Sequence, residues 1–216
     1  MPVENLVWVD CEMTGLTPET DALIEVAVLI TDSELNVLGD GVDVIIKPPE
    51  AALEAMGDFV REMHTTSGLL KTLATGVTMA EAEEQVMAYV CAHVPEPKKS
   101  PMAGNTLGMD RIFLARDMPR FEDHLHYRNI DVSSIKELVR RWYPKAFFSQ
   151  PEKKGKHRAM GDIRDSINEL RFYRETVFVL PPGPSKVESA GVASRYTSKF
   201  SLKSFADQRI TQPPDE

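Results

Sequence analysis

The chain has 216 residues, a formal net charge of −8 at pH 7 and 42% hydrophobic residues, enough for one sizeable domain with or without a tail. No run of 18 apolar residues is present, so the sequence predicts no membrane-spanning helix. The acidic balance argues against broad binding to long nucleic acid, because that affinity depends on many Lys and Arg contacts to phosphates. A short nucleic acid, held by metal ions and a few cations, is not excluded.

The sequence also predicts an intracellular protein. Met1 to Glu4 lead directly into an apolar stretch, without the basic, apolar and small-residue succession of a secretory signal. The two cysteines, Cys11 and Cys91, do not make a disulfide framework, and Cys11 is expected to be a small core residue. We therefore expect a reducing compartment, the cytoplasm.

Three strands are predicted at the start of the chain. Apolar and β-branched residues favour strands at 6–9, 22–31 and 37–47, and the pair Gly39 and Gly41 is typical of a bulge. Their tight connections predict an antiparallel meander. The first strand is apolar along both faces, so we expect it to lie in the middle of the sheet.

Helices alternating with two short strands are predicted for the rest of the folded part. The short strands are expected at 102–105 and 127–131. Helices are expected at 50–56, 69–74 and 110–116. Two more are expected to begin at the capping boxes of Thr78 and Ser134, and a long last helix at Gly161. Together these elements predict an α/β fold in which helices flank a mixed five-stranded sheet.

The composition changes near residue 181. Residues 181–216 are rich in Pro and Ser and show no periodicity, so we expect a mostly disordered tail after a folded domain at 1–180. Segment 59–68 carries no clear pattern and is left unassigned.

Two carboxylates follow the first strand at a spacing that places them together. Side chains alternate along a strand, so Asp10 and Glu12 share a face, about 6–7 Å apart by the strand rise, while Cys11 points to the other face. Their repulsion favours a cation between them, and oxygen ligands suit Mg²⁺ or Mn²⁺. Similar acidic pairs occur elsewhere in the chain, so chance is the competing explanation.

Two later segments carry further acid and base candidates. Asp110 lies in the first turn of a predicted helix, where it either binds a metal or merely favours the positive helix end. If His157 lies in the loop before the last helix, it can fold back over Asp162 and take a proton from water. Its basic neighbours, Lys156 and Arg158, equally permit a surface histidine.

A helix start near residue 133 is a candidate anion site. Free amides and a hydroxyl from Ser133 or Ser134 lie close in sequence to Arg128 and Lys136. Ordinary helix capping with a surface ion pair accounts for the same residues.

Taken together, these motifs resemble the DEDDh 3′→5′ exonucleases of the ribonuclease H-like superfamily and, within them, the oligoribonuclease family. The resemblance spans about residues 5–179. It is carried by Trp8-Val-Asp-Cys-Glu-Met-Thr-Gly-Leu16, Ala103-Gly-Asn-Thr-Leu-Gly-Met-Asp-Arg111, His126-Tyr-Arg-Asn-Ile-Asp-Val-Ser-Ser-Ile-Lys-Glu-Leu138, Arg141-Trp-Tyr-Pro144 and His157-Arg-Ala-Met-Gly-Asp-Ile163.

The resemblance implies a catalytic centre with two divalent ions, Mg²⁺ or Mn²⁺. Asp10, Glu12, Asp110 and Asp162 would hold the ions and His157 would be the general base. The substrate implied is very short RNA, from dinucleotides to about five nucleotides, with bases that stack on aromatic side chains. The products would be 5′-mononucleotides.

The resemblance also implies the substrate contacts. Arg128, Ser133 and Lys136, with Thr106 nearby, would cap the 5′ phosphate; Leu16 would wedge between the bases, Phe59 would stack on one, and His64 would lie in the same wall. Two departures lie here: Thr106 and Phe59 stand where the family usually has Ser and Trp.

A third departure is Gly161, which replaces a commoner Ala and is expected to loosen the last helix by up to about 1 kcal/mol.

The family is a homodimer in which Tyr127 reaches the partner's site. Core packing is the alternative for Tyr127 and the expectation for Trp142. Two alternatives to the exoribonuclease stay open: a proofreading-type DNA exonuclease of the same fold, and a catalytically inactive nucleotide-binding module.

Overall fold

The computed structural model describes residues 4–155 and 157–196. One compact unit comprises the described residues up to Phe178 and contains the sheet; a second begins at Val179. No helix in the described ranges is long and apolar enough to cross a membrane.

Five strands form one mixed sheet in the order β3-β2-β1-β4-β5. The strands are β1 (Leu6–Met13), β2 (Leu23–Thr31), β3 (Val37–Ile45), β4 (Pro101–Gly104) and β5 (His126–Asp131). β1, β2 and β3 pair antiparallel, whereas β4 runs parallel to β1 and β5 runs parallel to β4. The predicted meander, the central position of β1 and the mixed sheet are confirmed.

Helices pack on both faces of this sheet. They are α1 (Glu50–Ala55), α2 (Asp58–Thr66), α3 (Met79–His93), α4 (Gly108–Asp117), α5 (Pro119–His124), α6 (Val132–Trp142), α7 (Pro144–Phe147) and α8 (Ala159–Thr176). Two short 3₁₀ turns, Leu69–Lys71 and Leu73–Thr75, replace the helix predicted at 69–74. The second unit contains α9 (Lys186–Ser194).

The two faces of β1 face different cores. Val7, Val9 and Cys11 pack into the core formed with α3, α4 and α5. Trp8 points to the opposite face and packs with α8 residues such as Ile163. This alternation is the period of a strand, and the buried apolar side chains on both faces explain why β1 is central.

The α8 face of β1 also carries the acidic pair. Asp10 and Glu12 follow Trp8 at every second position, so both carboxylates lie toward α8. Because β4 runs parallel to β1, helix α4 begins after β4 at the same end of the sheet. The topology therefore brings the starts of α4 and α8 to the acidic end of β1.

Several local predictions were wrong. Helix α6 begins at Val132, capped by the Asp131 carboxylate, which accepts a hydrogen bond from the Ser133 amide; the expected capping box at Ser134 does not start it. Segment 59–68 lies largely in α2, and α5 was not foreseen. Trp142 was expected in the core, but 65% of it is exposed.

Helix α9 lies where mostly disordered tail was expected. It begins with a capping box in which the Ser185 hydroxyl accepts from the Glu188 amide and the Glu188 carboxylate accepts from the Ser185 amide. That local signal was present in the sequence, although no apolar periodicity accompanied it. The prediction for residues 197–216 lies outside the described residues.

Candidate active site

A buried carboxylate from α4 joins the acidic end of β1. Asp110 lies in the first turn of α4, is 8% exposed, and its Oδ1 accepts a 3.0 Å hydrogen bond from the Cys11 amide. The backbone between Asp10 and Glu12 therefore holds Asp110 directly. Glu12 is itself 8% exposed, so the cluster is shielded from bulk water.

His157 lies in the loop before α8, which begins at Ala159. Ligand atoms of Glu12, His157 and Asp162 lie within 4.8 Å of one another. The expectation that His157 folds back over Asp162 is met in this geometry. His157 is exposed and Asp162 is half-buried, so the imidazole lies between the acidic cluster and solvent.

Burial sets the electrostatics of this cluster. It raises the pKa of Glu12 to about 8, and the charges of Glu25 and Asp162 act in the same direction. Burial likewise raises the pKa of Asp110 to about 6 and that of Asp10 well above its ordinary value. Such carboxylates are costly to ionise without a compensating cation. The convergence of acidic oxygens and one imidazole fits a divalent metal centre.

A buried histidine, His64, lies next to this cluster. It is fully buried; its Nε2 lies 2.9 Å from the Met13 carbonyl oxygen and its Nδ1 lies 3.9 Å from Oε2 of Glu12. Burial lowers the His64 pKa, so the neutral ring donates through Nε2 and leaves Nδ1 with no hydrogen-bond partner among the described residues. The unpaired nitrogen faces Glu12.

The loop before α8 is fastened to the helix it precedes. Oδ2 of Asp165 accepts hydrogen bonds from the amides of Lys154 and Gly155, at 2.5 and 2.6 Å. A Cβ at Gly161 would lie 2.8 Å from the Cα of Gly155. Gly161 therefore permits a close approach between loop and helix, which the expectation of a merely looser helix start had missed.

The predicted anion site is only partly assembled. Asp131 Oδ1 accepts from the Ser133 hydroxyl at 2.6 Å and from the Thr106 amide at 3.1 Å, which brings Thr106 and Ser133 together. Thr106 does not cap α4, whose N-cap is Leu107. Arg128 is exposed, and its guanidinium lies 5.5 Å from the centre of the Tyr127 ring.

Lys136 reaches a buried carboxylate that sequence reasoning missed. Glu169 is 3% exposed, and the Nζ atoms of Lys136 and Lys153 each lie 3.3 Å from its oxygens. The Tyr173 hydroxyl, one turn further along α8, donates to Glu169 at 2.8 Å. Asn105 Nδ2 lies 3.4 Å from it. Glu169 thus connects α6, the loop before α8 and the segment before α4.

Exposed apolar side chains border the acidic cluster. A cleft of ≈ 410 Å³ is lined by Phe59, Met63 and Thr66 of α2 together with His157. Phe59 is 81% exposed and Leu16, just after β1, is 67% exposed. Phe59 and Met63 thus give this cleft an apolar wall beside the polar centre.

Known exonucleases resemble this chain over most of its length. The sequence profile of the exonuclease family RNase_T matches residues 7–170. The oligoribonuclease of Streptomyces griseus is 62% identical over 195 residues, which cover 90% of this chain and 97% of that protein.

This chain belongs to the oligoribonuclease family of exonucleases. The oligoribonuclease of Cutibacterium acnes is 59% identical over 191 residues, covering 88% of this chain and 95% of that protein. That of Leifsonia xyli is 52% identical over 200 residues, covering 93% and 97%. The family expected from the motifs is confirmed.

Solved structures bear on the fold alone. Exonuclease I from Methylocaldum szegediense superposes with a TM-score of 0.56 at 20% identity, covering 81% of this chain and 41% of that one. Exonuclease I of E. coli, solved with a dA13 oligonucleotide, gives 0.56 at 17% identity and covers 80% and 40%. This chain therefore spans about two fifths of those structures. The α/β fold class is confirmed.

Proposed function

We propose that this chain is a metal-dependent 3′→5′ exoribonuclease that hydrolyses short oligoribonucleotides, dinucleotides above all, to 5′-mononucleotides. The observation that carries the proposal is the meeting of Glu12, His157 and Asp162 within 4.8 Å, beside Asp10 and Asp110. Nearly full-length similarity to proteins named oligoribonuclease supports the choice of RNA.

The metal ligands in this proposal are the four acids. Asp10, Glu12, Asp110 and Asp162 would hold two divalent ions, Mg²⁺ or Mn²⁺. When bound, such ions activate an attacking water and stabilise the leaving oxygen of the phosphodiester. Asp110 is held in place by the Cys11 amide at 3.0 Å.

His157 is the proposed general base. Its exposed imidazole lies against Asp162 and Glu12, where it takes the proton of a water approaching from the cleft. The neighbouring carboxylate favours the imidazolium that results. Glu12 is only 8% exposed, so its carboxylate is largely shielded from bulk water.

The substrate contacts are proposed around this centre. Thr106, Ser133, Lys136 and Arg128 would cap the 5′ phosphate, which suits short substrates because a closed 5′ side blocks a long strand. Leu16 would separate the two bases and Phe59 would stack on one, a contact worth roughly 1–3 kcal/mol per base. His64 is buried and would therefore act through the neighbouring Glu12.

We further propose a cytoplasmic homodimer. Tyr127, the residue expected to reach the partner's site, is 74% exposed, and Trp142 and Phe148 are 65% and 84% exposed. Exposed aromatic side chains of this kind are enriched at protein interfaces. Cys11 and Cys91 are free thiols, in keeping with a reducing compartment.

The deciding experiment compares a 5′-phosphorylated diribonucleotide with a longer RNA of the same composition, with Mn²⁺ and with chelator. Rapid, chelator-sensitive loss of the dinucleotide with slow loss of the longer RNA is expected. Faster cleavage of the longer strand would favour a general or proofreading-type exonuclease. Folded protein that cleaves neither would favour a nucleotide-binding module.

A further inference from the structure

Glu25 is a fully buried acid directly beside the catalytic cluster. It lies in β2, opposite Glu12 in the antiparallel pair with β1, and its exposure is 0%. A carboxylate removed from water requires hydrogen-bond donors or a cation to compensate for lost hydration. Its charge also opposes ionisation of Glu12, so a role beyond core packing is needed to account for it.

The donors to Glu25 come from the start of α8. Nε and Nη2 of Arg158 donate to Oε1 at 2.8 and 2.6 Å, and the Ala159 amide donates to Oε2 at 3.2 Å. Arg158 is the N-cap residue of α8, yet its side chain makes no cap hydrogen bond. The Glu25 carboxylate, which β2 supplies, thus caps the N-terminus of α8. Its negative charge is favourable at a helix N-terminus.

This contact fixes the two site residues that α8 supplies. His157 immediately precedes Arg158 and has φ of +56°, a left-handed conformation that is uncommon outside glycine. Asp162 follows in the first turn, where its amide donates to the Arg158 carbonyl at 3.0 Å. Holding Arg158 therefore sets the backbone on both sides.

We propose that Glu25, acting through Arg158, is a positioning residue that places His157 and Asp162 against Glu12. Glu12 and Glu25 are direct partners across β1 and β2, so the ion pair sets the distance between the strand ligand and the general base. Both Glu25 oxygens accept hydrogen bonds from the start of α8. The role rests on the proposed function.

The test compares two arginine variants of one helix. The Arg158 side chain is 34% exposed and that of Arg174, at the other end of α8, is 35% exposed; each pairs with a glutamate. Arg158→Ala is expected to lower kcat on the dinucleotide by about 10- to 100-fold, with a smaller change in KM, because misplaced catalytic groups lose that much rate. Arg174→Ala should leave kcat near wild type.

A double-mutant cycle separates positioning from general destabilisation. In a His157→Ala background, Arg158→Ala should cost much less than in wild type, because the base it positions is already absent. Equal fold-losses in both backgrounds would overturn the part of the proposal in which Arg158 positions His157. Arg158→Lys, which keeps one donor to Glu25, should recover part of the rate, and Glu25→Gln should lower it.

An NMR measurement that requires no catalytic activity separates the positioning role from the proposed function. In metal-free protein, the His157 imidazole NMR signals should shift or broaden in Arg158→Ala and stay unchanged in Arg174→Ala. Unchanged His157 signals in folded Arg158→Ala would reject the positioning role whatever the enzyme cleaves. Shifted signals in a protein that cleaves no dinucleotide would reject the proposed function and leave the positioning role standing.

Discussion

The amide of Cys11 lies 3.0 Å from Oδ1 of Asp110, which ties the acidic strand β1 to the start of α4. A side chain at position 110 therefore has two separable tasks. As a hydrogen-bond acceptor it holds the two elements together, and as a charged carboxylate it is a proposed metal ligand.

Asp110→Asn should separate these tasks. The amide oxygen can still accept from Cys11, and removal of a buried charge whose pKa is raised to about 6 relieves repulsion within the cluster. We expect the metal-free variant to unfold at or above the wild-type temperature, yet to lose turnover and most of the stabilisation by Mn²⁺. Thermal unfolding with and without Mn²⁺, beside a dinucleotide assay, measures both effects.

Asp123→Asn is the control for that variant, since Asp123 is an exposed acid paired with Lys98. It should keep both turnover and the response to Mn²⁺. Wild-type turnover in Asp110→Asn would contradict the assignment of Asp110 as a ligand.

Glu12 should make the metal-free protein less stable as the pH rises. In the unfolded chain its carboxyl titrates near 4.5, whereas burial holds the native pKa at about 8. Between these values the folded state binds more protons than the unfolded state, so the stability that Glu12 contributes falls as pH rises. Denaturant unfolding of the metal-free protein across this range should show a shallower decline for Glu12→Gln.

Added Mn²⁺ should flatten the wild-type curve in the same way, because a bound cation favours the ionised carboxylates. Parallel curves for wild type and Glu12→Gln would show that Glu12 is already ionised in the metal-free fold. The comparison needs no catalytic activity.

The sequence anticipated the parts of the site that local geometry determines. Strand alternation places Asp10 and Glu12 on one face, and the helix start after residue 157 lets His157 reach Asp162. The Glu25–Arg158 contact joins residues 133 positions apart. No local period signals such a pairing, so its role emerged only from the fold.

The errors have equally local causes. Ser134 and Glu137 match a capping pattern, but Asp131 accepts from the Ser133 amide and starts α6 earlier. The start of α6 is earlier because neighbouring capping side chains compete, and sequence spacing alone does not show which of them caps the helix. Trp142 shares an apolar stripe with Val139, yet lies on the exposed part of the helix.

Gly161→Ala should be destabilising although alanine is the better helix former. The new Cβ would lie 2.8 Å from the Gly155 Cα and 2.9 Å from its carbonyl oxygen, so the loop carrying His157 must move. We expect lower kcat and a lower unfolding temperature. Gly108→Ala, at the start of α4 where a Cβ meets nothing within 4 Å, should not lower the unfolding temperature. A faster or more stable Gly161→Ala would mean that the loop yields without cost.

Glu169→Gln should weaken both the fold and the 5′ side of the site. Glu169 is buried and accepts from Tyr173 while facing Lys136 and Lys153. Removing its charge leaves both ammonium groups without their buried partner, at a cost of about 1–3 kcal/mol in unfolding free energy. Glu137→Gln, in an exposed pair with Arg140 and Arg141, should lower the unfolding free energy much less.

Denaturant unfolding measures that difference, and substrate kinetics measures the second effect. If Glu169 holds Lys136 for the phosphate, KM in Glu169→Gln should rise more for 5′-phosphorylated than for 5′-hydroxyl dinucleotides. An equal rise for both would confine Glu169 to a structural role.

Arg128→Ala should test the proposed phosphate cap most directly. Arg128 is exposed on β5, and its guanidinium lies over the Tyr127 ring rather than in a buried ion pair. Truncation should therefore leave the unfolding temperature within error of wild type while removing one charge-assisted contact to phosphate, worth about 1.5–3 kcal/mol. That corresponds to a loss of about 10- to 100-fold in kcat/KM on a 5′-phosphorylated dinucleotide.

The 5′-hydroxyl dinucleotide is the internal control, because it lacks the group that Arg128 is proposed to bind. Its kcat/KM should change little in Arg128→Ala. Arg120→Ala is the matched surface control, since Arg120 is exposed and pairs with Glu84 on the α3 side of the sheet. Equal losses on both dinucleotides would place Arg128 outside the cap and leave Thr106, Ser133 and Lys136 as its remaining members.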